Sequence, residues 1–224
     1  MNKNFRFSET SGNTPARGAF TLAEVLITLG IIGIVAAMTL PNLIANYQKK
    51  VYVTRLKKAV NITQNACKMA LADDEVSDFS DTRLFKAFAD DATSEDNTIL
   101  KNYFNTDSFG KVHGGTNYSG SMTDVEGHIY LLLNDGTNFY LSSYTDLSDN
   151  TKILDVIIDV NGYKKLPNIE GRDIFRFGID DNCKYYTYEV NRDRDCSEDI
   201  NDSHVAAASS CFQKILEDNW EMKY

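Results

Sequence analysis

The chain has 224 residues, 42% of them hydrophobic and 25% charged, with 23 Lys and Arg against 32 Asp and Glu and a net charge of −9. That length suits one membrane segment plus one modest globular domain. The acid lies almost entirely beyond residue 45, which excludes non-specific nucleic-acid binding, because phosphate binding needs clustered Lys and Arg.

Residues 1–16 are polar, include Gly12 and Pro15, and are expected to be disordered and outside the fold. Lys3, Arg6 and Arg17 outweigh Glu9. Positive charge ahead of a spanning helix holds that end in the cytoplasm, so the rest is expected on the far side. From Arg17 to Pro41 the chain reads RGAFTLAEVLITLGIIGIVAAMTLP; after Glu24 no charge follows until Lys49. An apolar run of roughly 20 residues can cross a bilayer as a helix. A carboxylate within such a run is costly and demands a partner. An ordinary secretory signal places its small-residue cleavage site after the apolar region. Here Gly18-Ala19 comes before it, and Met38-Thr39-Leu40-Pro41 is a poor site. Gly30 and Gly33 lower helix propensity; they are either tolerated in lipid or allow close helix packing. Pro41 removes a backbone donor and is expected to kink or loosen the helix.

Gly18-Ala19-Phe20-Thr21-Leu22-Ala23-Glu24-Val25-Leu26 resembles the processing and methylation signal of type IV pilins and type II secretion pseudopilins. The resemblance implies that a prepilin peptidase removes residues 1–19 and methylates the amine of Phe20. Counted from Phe20, Glu24 is fifth, as in that family. The family usually has Gly directly before the cut; here Ala19 stands there, with Gly18 one step back. The family's filaments imply that Glu24 meets the N-terminal amine of a neighbouring subunit. The alternative is a local bond to its own first helical turn, where carboxylates are favoured. The implied partners are the peptidase, like subunits or related pilins, inner-membrane assembly machinery and membrane lipid. The implied fold is α+β and pilin-like, with a long transmembrane and amphipathic helix packed on an antiparallel sheet of about four strands. It divides into a leader over 1–19, a transmembrane helix over 20–41, its amphipathic continuation over 42–72, and an extracytoplasmic head over 73–224.

Beyond Pro41, Val53, Leu56, Val60, Cys67 and Leu71 share one helical face, with Thr63 in the gap. That stripe is expected to pack on the sheet. Lys49, Lys50, Arg55, Lys57, Lys58 and Lys68 lie largely off it; they either touch anionic head groups or form a solvated face. Asp73-Asp74-Glu75 marks the helix end. Residues 77–89 read as a short helix capped by Ser80 or Asp81, with Leu84, Phe85 and Phe88 on its apolar side. Residues 90–127 read as a long loop region with short ordered pieces.

Strands are expected over 129–133, 137–141, 152–160 and 173–179. The first two are joined by the hairpin signal Asn134-Asp135-Gly136. In the third, Leu154, Val156, Ile158 and Val160 alternate with Asp155 and Asp159. Asp159, Asn161 and Asp173 are weak calcium candidates, because Asp-x-Asn-Gly resembles the start of a calcium loop and some type II pseudopilins carry calcium in late loops. The glutamate of an EF-hand is missing, and an Asx-type turn closed by Gly162 explains the residues without metal; no cofactor is expected. Residues 182–201 are charged and turn-rich. Ser203 is expected to cap a last helix over 205–216, and Trp220 to anchor the C-terminus.

The four cysteines fit an oxidising compartment. A Cys196–Cys211 bridge is expected, with two free thiols as the alternative; Cys67 reads as a small core residue, and Cys183 is left open. His113, His128 and His204 match no catalytic motif, the carboxylates read as solvated, and no enzyme is expected.

Overall fold

A computed structural model describes residues 20–88, 96–106, 108–111, 128–146, 150–188, 196 and 205–224. The leader with Gly18 and Ala19, much of the 90–127 region, most of 189–201, His113, His204 and the Ser203 cap lie outside the described residues. Helix α1 runs from Leu22 to Asp74 with Pro41 inside it. The chain divides into two compact units, Met1–Ala45 and Asn46–Tyr224. In the first, the Leu, Ile and Val side chains of α1 stand exposed.

In the second unit α1 buries Val53, Leu56, Ala59, Val60, Thr63, Ala66, Cys67 and Ala70. The alanines keep this face flat, so the sheet approaches closely. Thr63 is tolerated there because its hydroxyl donates to the carbonyls of Ala59 (3.1 Å) and Val60 (2.9 Å). The helix stops at Glu75, which takes φ 53°, while Val76 N–H returns to Leu71 O at 3.3 Å; a left-handed residue after the last turn is a common helix terminus.

Six antiparallel strands form a meander in sequence order: β1 Ser108–Lys111, β2 Ile129–Leu132, β3 Asn138–Thr145, β4 Lys152–Asp159, β5 Ile174–Ile179 and β6 Tyr185–Tyr186. The sequence suggested about four; β1 and β6 are the additions. Both are short and exist only through pairing with β2 and β5, so they show little period-2 pattern of their own. The register aligns Leu131, Phe139, Ile158 and Phe175 in one row and Ile129, Leu141, Val156 and Phe177 in the next. These rows and the buried face of α1 belong to one continuous core.

Two local readings are corrected and a third is made specific. The 77–89 segment is a 3-10 turn, Phe79–Asp81, followed by α2, Arg83–Lys86. Its cap is Thr82, whose hydroxyl accepts from Phe85 N–H at 3.1 Å, not Ser80 or Asp81. Helix α3, Asp96–Phe104, is one of the short ordered pieces expected in the 90–127 region and buries Leu100 and Phe104. Strand β4 does not alternate between core and solvent: Asp155 and Asp159 are both 2% exposed. The other face of the sheet is covered as well, by a second cluster of Tyr140, Ile157, Ile174 and Ala208.

Helix α4, Val205–Glu217, packs along β5 and stacks Phe212 on Phe177 with ring centroids 5.1 Å apart. Its Cys211 bonds Cys196, with an S–S distance of 2.03 Å. Gly171 is required beneath that bridge: it takes φ 79°, and a Cβ there would collide with Cys211. Cys67 is buried, but it is no free core thiol. It bonds Cys183 across 116 residues of sequence and ties α1 to the turn after β5.

The loop between Cys67 and Cys183 is far longer than the one between Cys196 and Cys211. In the chain-entropy account, losing them costs about 4.8 and about 3 kcal/mol respectively. Denaturant unfolding of the full chain in detergent should therefore show C67S/C183S less stable than C196S/C211S. The reverse order would mean that loop entropy does not govern either bridge.

Candidate functional site

The N-terminal candidates fall at the start of α1. Phe20 is 86% exposed. Thr21 and Glu24 close a reciprocal capping box. Glu24 Oε2 accepts from Thr21 N–H and from its hydroxyl, both at 2.9 Å, and Glu24 N–H donates to Thr21 Oγ1 at 3.2 Å. The spacing Thr-x-x-Glu is what this box requires. It satisfies donors that a helix start otherwise leaves bare. All of Glu24's side-chain bonds use Oε2, so a second acceptor, Oε1, remains for an external donor.

The loop after β4 brings Asp159, Asn161 and Asp173 together. Asp159 Oδ1 accepts from the N–H groups of Asn161 (3.2 Å) and Gly162 (2.8 Å), which is an Asx turn. Gly162 takes φ 92°, and a Cβ there would strike the carbonyl of Gly136; the loop lies directly on the β2–β3 turn. Asp173 accepts from Asn168 N–H at 2.9 Å and Ile169 N–H at 2.6 Å. The loop is braced on α1: Arg55 donates to Val160 O at 2.9 Å, and the Asn161 amide approaches the Tyr52 hydroxyl at 3.4 Å. Nearby, Lys58 meets Asp135 at 2.5 Å. Burial, and then the charge of Asp173 beside it, push Asp159 up to about 7. Burial raises Asp173 too. Asn161 Oδ1 and Asn168 Oδ1 are buried without a hydrogen-bond partner.

The opposite treatment meets Asp155 on the same strand. Arg176 Nε lies 2.7 Å from Oδ1, Tyr188 donates to Oδ1 at 2.6 Å, and His128 Nε2 is 3.5 Å from Oδ2. Burial works against the charge, but the bonds from His128 and Arg176 win and hold Asp155 below the usual carboxylate range. Sequence reasoning missed this network. Its signal was a charge of each sign on adjacent strands, legible only once the register is known. The network contains a Ser, a His and an Asp, because Ser142 Oγ is 3.1 Å from His128. Both partners, however, use the same nitrogen, Nε2, while Nδ1 is buried without a partner. A catalytic relay needs nucleophile and carboxylate on opposite ring nitrogens, so this trio does not form one.

A single apolar helix that continues into an α+β head, with the antiparallel meander laid across it, is a pilin-like architecture. A family model described as the prokaryotic N-terminal methylation motif matches residues 15–40, and that match supports the type IV pilin and pseudopilin family. No curated protein and no solved structure matches the chain.

The two carboxylate environments set opposite pH limbs. Asp159 has a folded pKa above its unfolded one, so its ionisation favours unfolding. Stability should fall as pH rises from about 4 to about 7, by at most about 4 kcal/mol. Asp155 has a folded pKa below its unfolded one; its contribution is present above the unfolded value and is lost on further acidification. In chelator, D159N should keep the turn, shrink the loss between pH 4 and 7 to the part that Asp173 contributes, and melt higher than wild type at pH 8. An unchanged slope would mean that Asp159 titrates normally.

Proposed function

We propose that the chain is a filament subunit of the pilin or pseudopilin type, held in the cytoplasmic membrane by α1 with its head outside, and polymerised after processing. The observation that carries this reading is the methylation motif over residues 15–40, joined to a helix long and apolar enough to cross a membrane and with none of its apolar window buried. The peptidase cuts between Ala19 and Phe20 and methylates the new amine, which stays cationic. In the single chain, Glu24 is held by Thr21 through one oxygen. In the filament its other oxygen receives the amine of a neighbouring Phe20. Opposite charges in a low-dielectric layer need each other, so a subunit entering in the wrong register leaves both unpaired. The helices form the filament core and the heads its surface, in a type IV pilus or a type II secretion filament. A minor subunit at the tip shares this processing; a monomeric anchored binding protein does not.

Mass and N-terminal sequencing of the protein from its native membrane should show a chain starting at Phe20 and heavier by one methyl group. A chain that retains Met1 to Ala19, or begins beyond Pro41, removes the basis for the filament reading. E24A should be processed at the normal rate yet enter filaments at least tenfold less than wild type; normal assembly would assign Glu24 to the helix cap alone.

A second reading concerns calcium at the loop after β4, favoured by the partnerless amide oxygens of Asn161 and Asn168 beside the carboxylates of Asp159 and Asp173. These are the hard oxygen donors that calcium takes. Among the described residues no group of three His, Cys, Asp or Glu suits a metal, so backbone or water oxygens must complete the shell. Calcium at millimolar concentration should raise the melting temperature at pH 8 and much less at pH 5; no rise at pH 8 would end this reading.

A further inference from the structure

We propose that a basic groove at the start of the head seats the phosphate of an anionic phospholipid in the leaflet on the head's side, a site that rests on the membrane-anchored reading above. The groove has a volume of about 550 Å³. Lys49, Lys50 and Lys57 of α1 form one wall; Trp220, Met222 and Lys223 of the C-terminal tail form the other. One carboxylate, Glu221, also lines it and lies 4.0 Å from Lys223.

The charge here runs against the rest of the head. Removing the three bases and two acids of residues 1–45 from the chain totals leaves 20 bases against 30 acids in residues 46–224. Four lysines nonetheless converge on one groove. Among the described residues no side-chain carboxylate pairs with Lys49, Lys50 or Lys57. Lys49 instead donates to the Tyr224 carbonyl, and Lys57 lies over the Trp220 ring, 5.4 Å from its centroid. Lys223 is shared with Asp218 at 2.9 Å.

The indole is held in place. Helix α4 closes with Trp220 N–H on Ile215 O at 2.7 Å and Asn219 N–H on Leu216 O at 3.1 Å, the paired bonds of a Schellman end. Trp220 takes φ 64°, a left-handed conformation that is strained for a bulky residue. Phe212 packs edge-on against it at 6.1 Å. Trp and Lys side by side, with an apolar Met, match the composition of a membrane–water interface.

Covalent reach fixes the occupant. Lys49 is the first charge after the apolar run and lies eight residues beyond Pro41, the expected end of the transmembrane segment. Eight residues of α1 rise about 12 Å, and the head-group layer adds roughly 5–8 Å to each side of the hydrocarbon. Lys49 and Lys50 therefore cannot leave the neighbourhood of the head groups while the apolar run is inserted. An acidic surface of a second head has no such tether before assembly.

The chain's single tryptophan reports on the groove directly. The full chain is reconstituted into phosphatidylcholine vesicles doped with head-group-quenching phosphatidylglycerol or with equally labelled phosphatidylcholine. The anionic quencher should quench Trp220 at least threefold more strongly at equal mole fraction. That preference should fall as salt rises from 0.05 to 0.5 M. It should vanish in K49Q/K50Q/K57Q/K223Q and grow in E221K, which replaces the carboxylate lining the groove with a cation. Flotation with the vesicles is scored separately. Flotation without a lipid preference overturns the groove and leaves the anchor intact; failure to float overturns the anchor and the groove with it. A preference unchanged in the quadruple variant, or quenching that tracks protein concentration rather than lipid charge, also overturns the proposal, the latter by placing a second copy in the groove.

Discussion

Everything in this protein follows from one helix that is only partly covered by its own chain. Helix α1 has 53 residues, yet its buried positions all fall between Val53 and Ala70. The apolar side chains ahead of them are exposed. Fourteen such large side chains left in water, at about 1.5 kcal/mol each, amount to about 20 kcal/mol. A whole domain is stable by only about 5–15 kcal/mol. The head cannot offset that exposure, so lipid or other helices must cover the first half. The second half is committed differently, as the wall against which the sheet closes.

Glu24 is the point at which this constraint becomes specific. The capping box with Thr21 explains how a carboxylate is tolerated at the helix start, since the same bonds satisfy donors that would otherwise be bare. It does not neutralise the charge. Hydroxyl and amide donors orient a carboxylate, but a low-dielectric layer still penalises the net charge until a cation arrives. The box and the proposed intersubunit pair are therefore complementary: the box sets the side chain's position, and the proposed pair would supply the counter-charge.

What could be read from the sequence was whatever is encoded locally. The stripe from Val53 to Leu71, the turn at Asn134-Asp135-Gly136 and the Leu154/Val156/Ile158/Val160 face are each fixed by a period or by turn chemistry within a few residues. What could not be read depends on partners distant in sequence. Strand β1 needs β2, and β6 needs β5. Cys67 looked like a core residue because burial and bonding leave the same apolar-face signature, and its partner Cys183 is 116 positions away. Asp155 looked solvated because a strand that alternates Asp with Leu and Val normally has one wet face. Here Tyr140, Ile157, Ile174 and Ala208 dry that face, and Arg176 from the next strand makes the burial tolerable. The proposed processing site is the reverse case: its residues carry a strong local motif, while Gly18 and Ala19 lie outside the described residues.

The two buried acids of β4 show how the head divides its electrostatic work. Asp155 sits mid-sheet among Arg176, Tyr188 and His128 and stays charged, locking β4 to β5 and to the chain beyond β6. Asp159 sits at the strand's end, faces another acid and loses its charge readily. The difference lies in what each end of β4 must hold. The Asp159 end is already fastened to α1 through Tyr52 and Arg55, so it does not need an ion pair of its own for position. Those same turns of α1 carry the lysines of the basic groove. Asp135 also meets that helix; burial opposes its charge, but Lys58 holds it below the usual carboxylate range, so near this wall the suppression is confined to acids without a cation beside them.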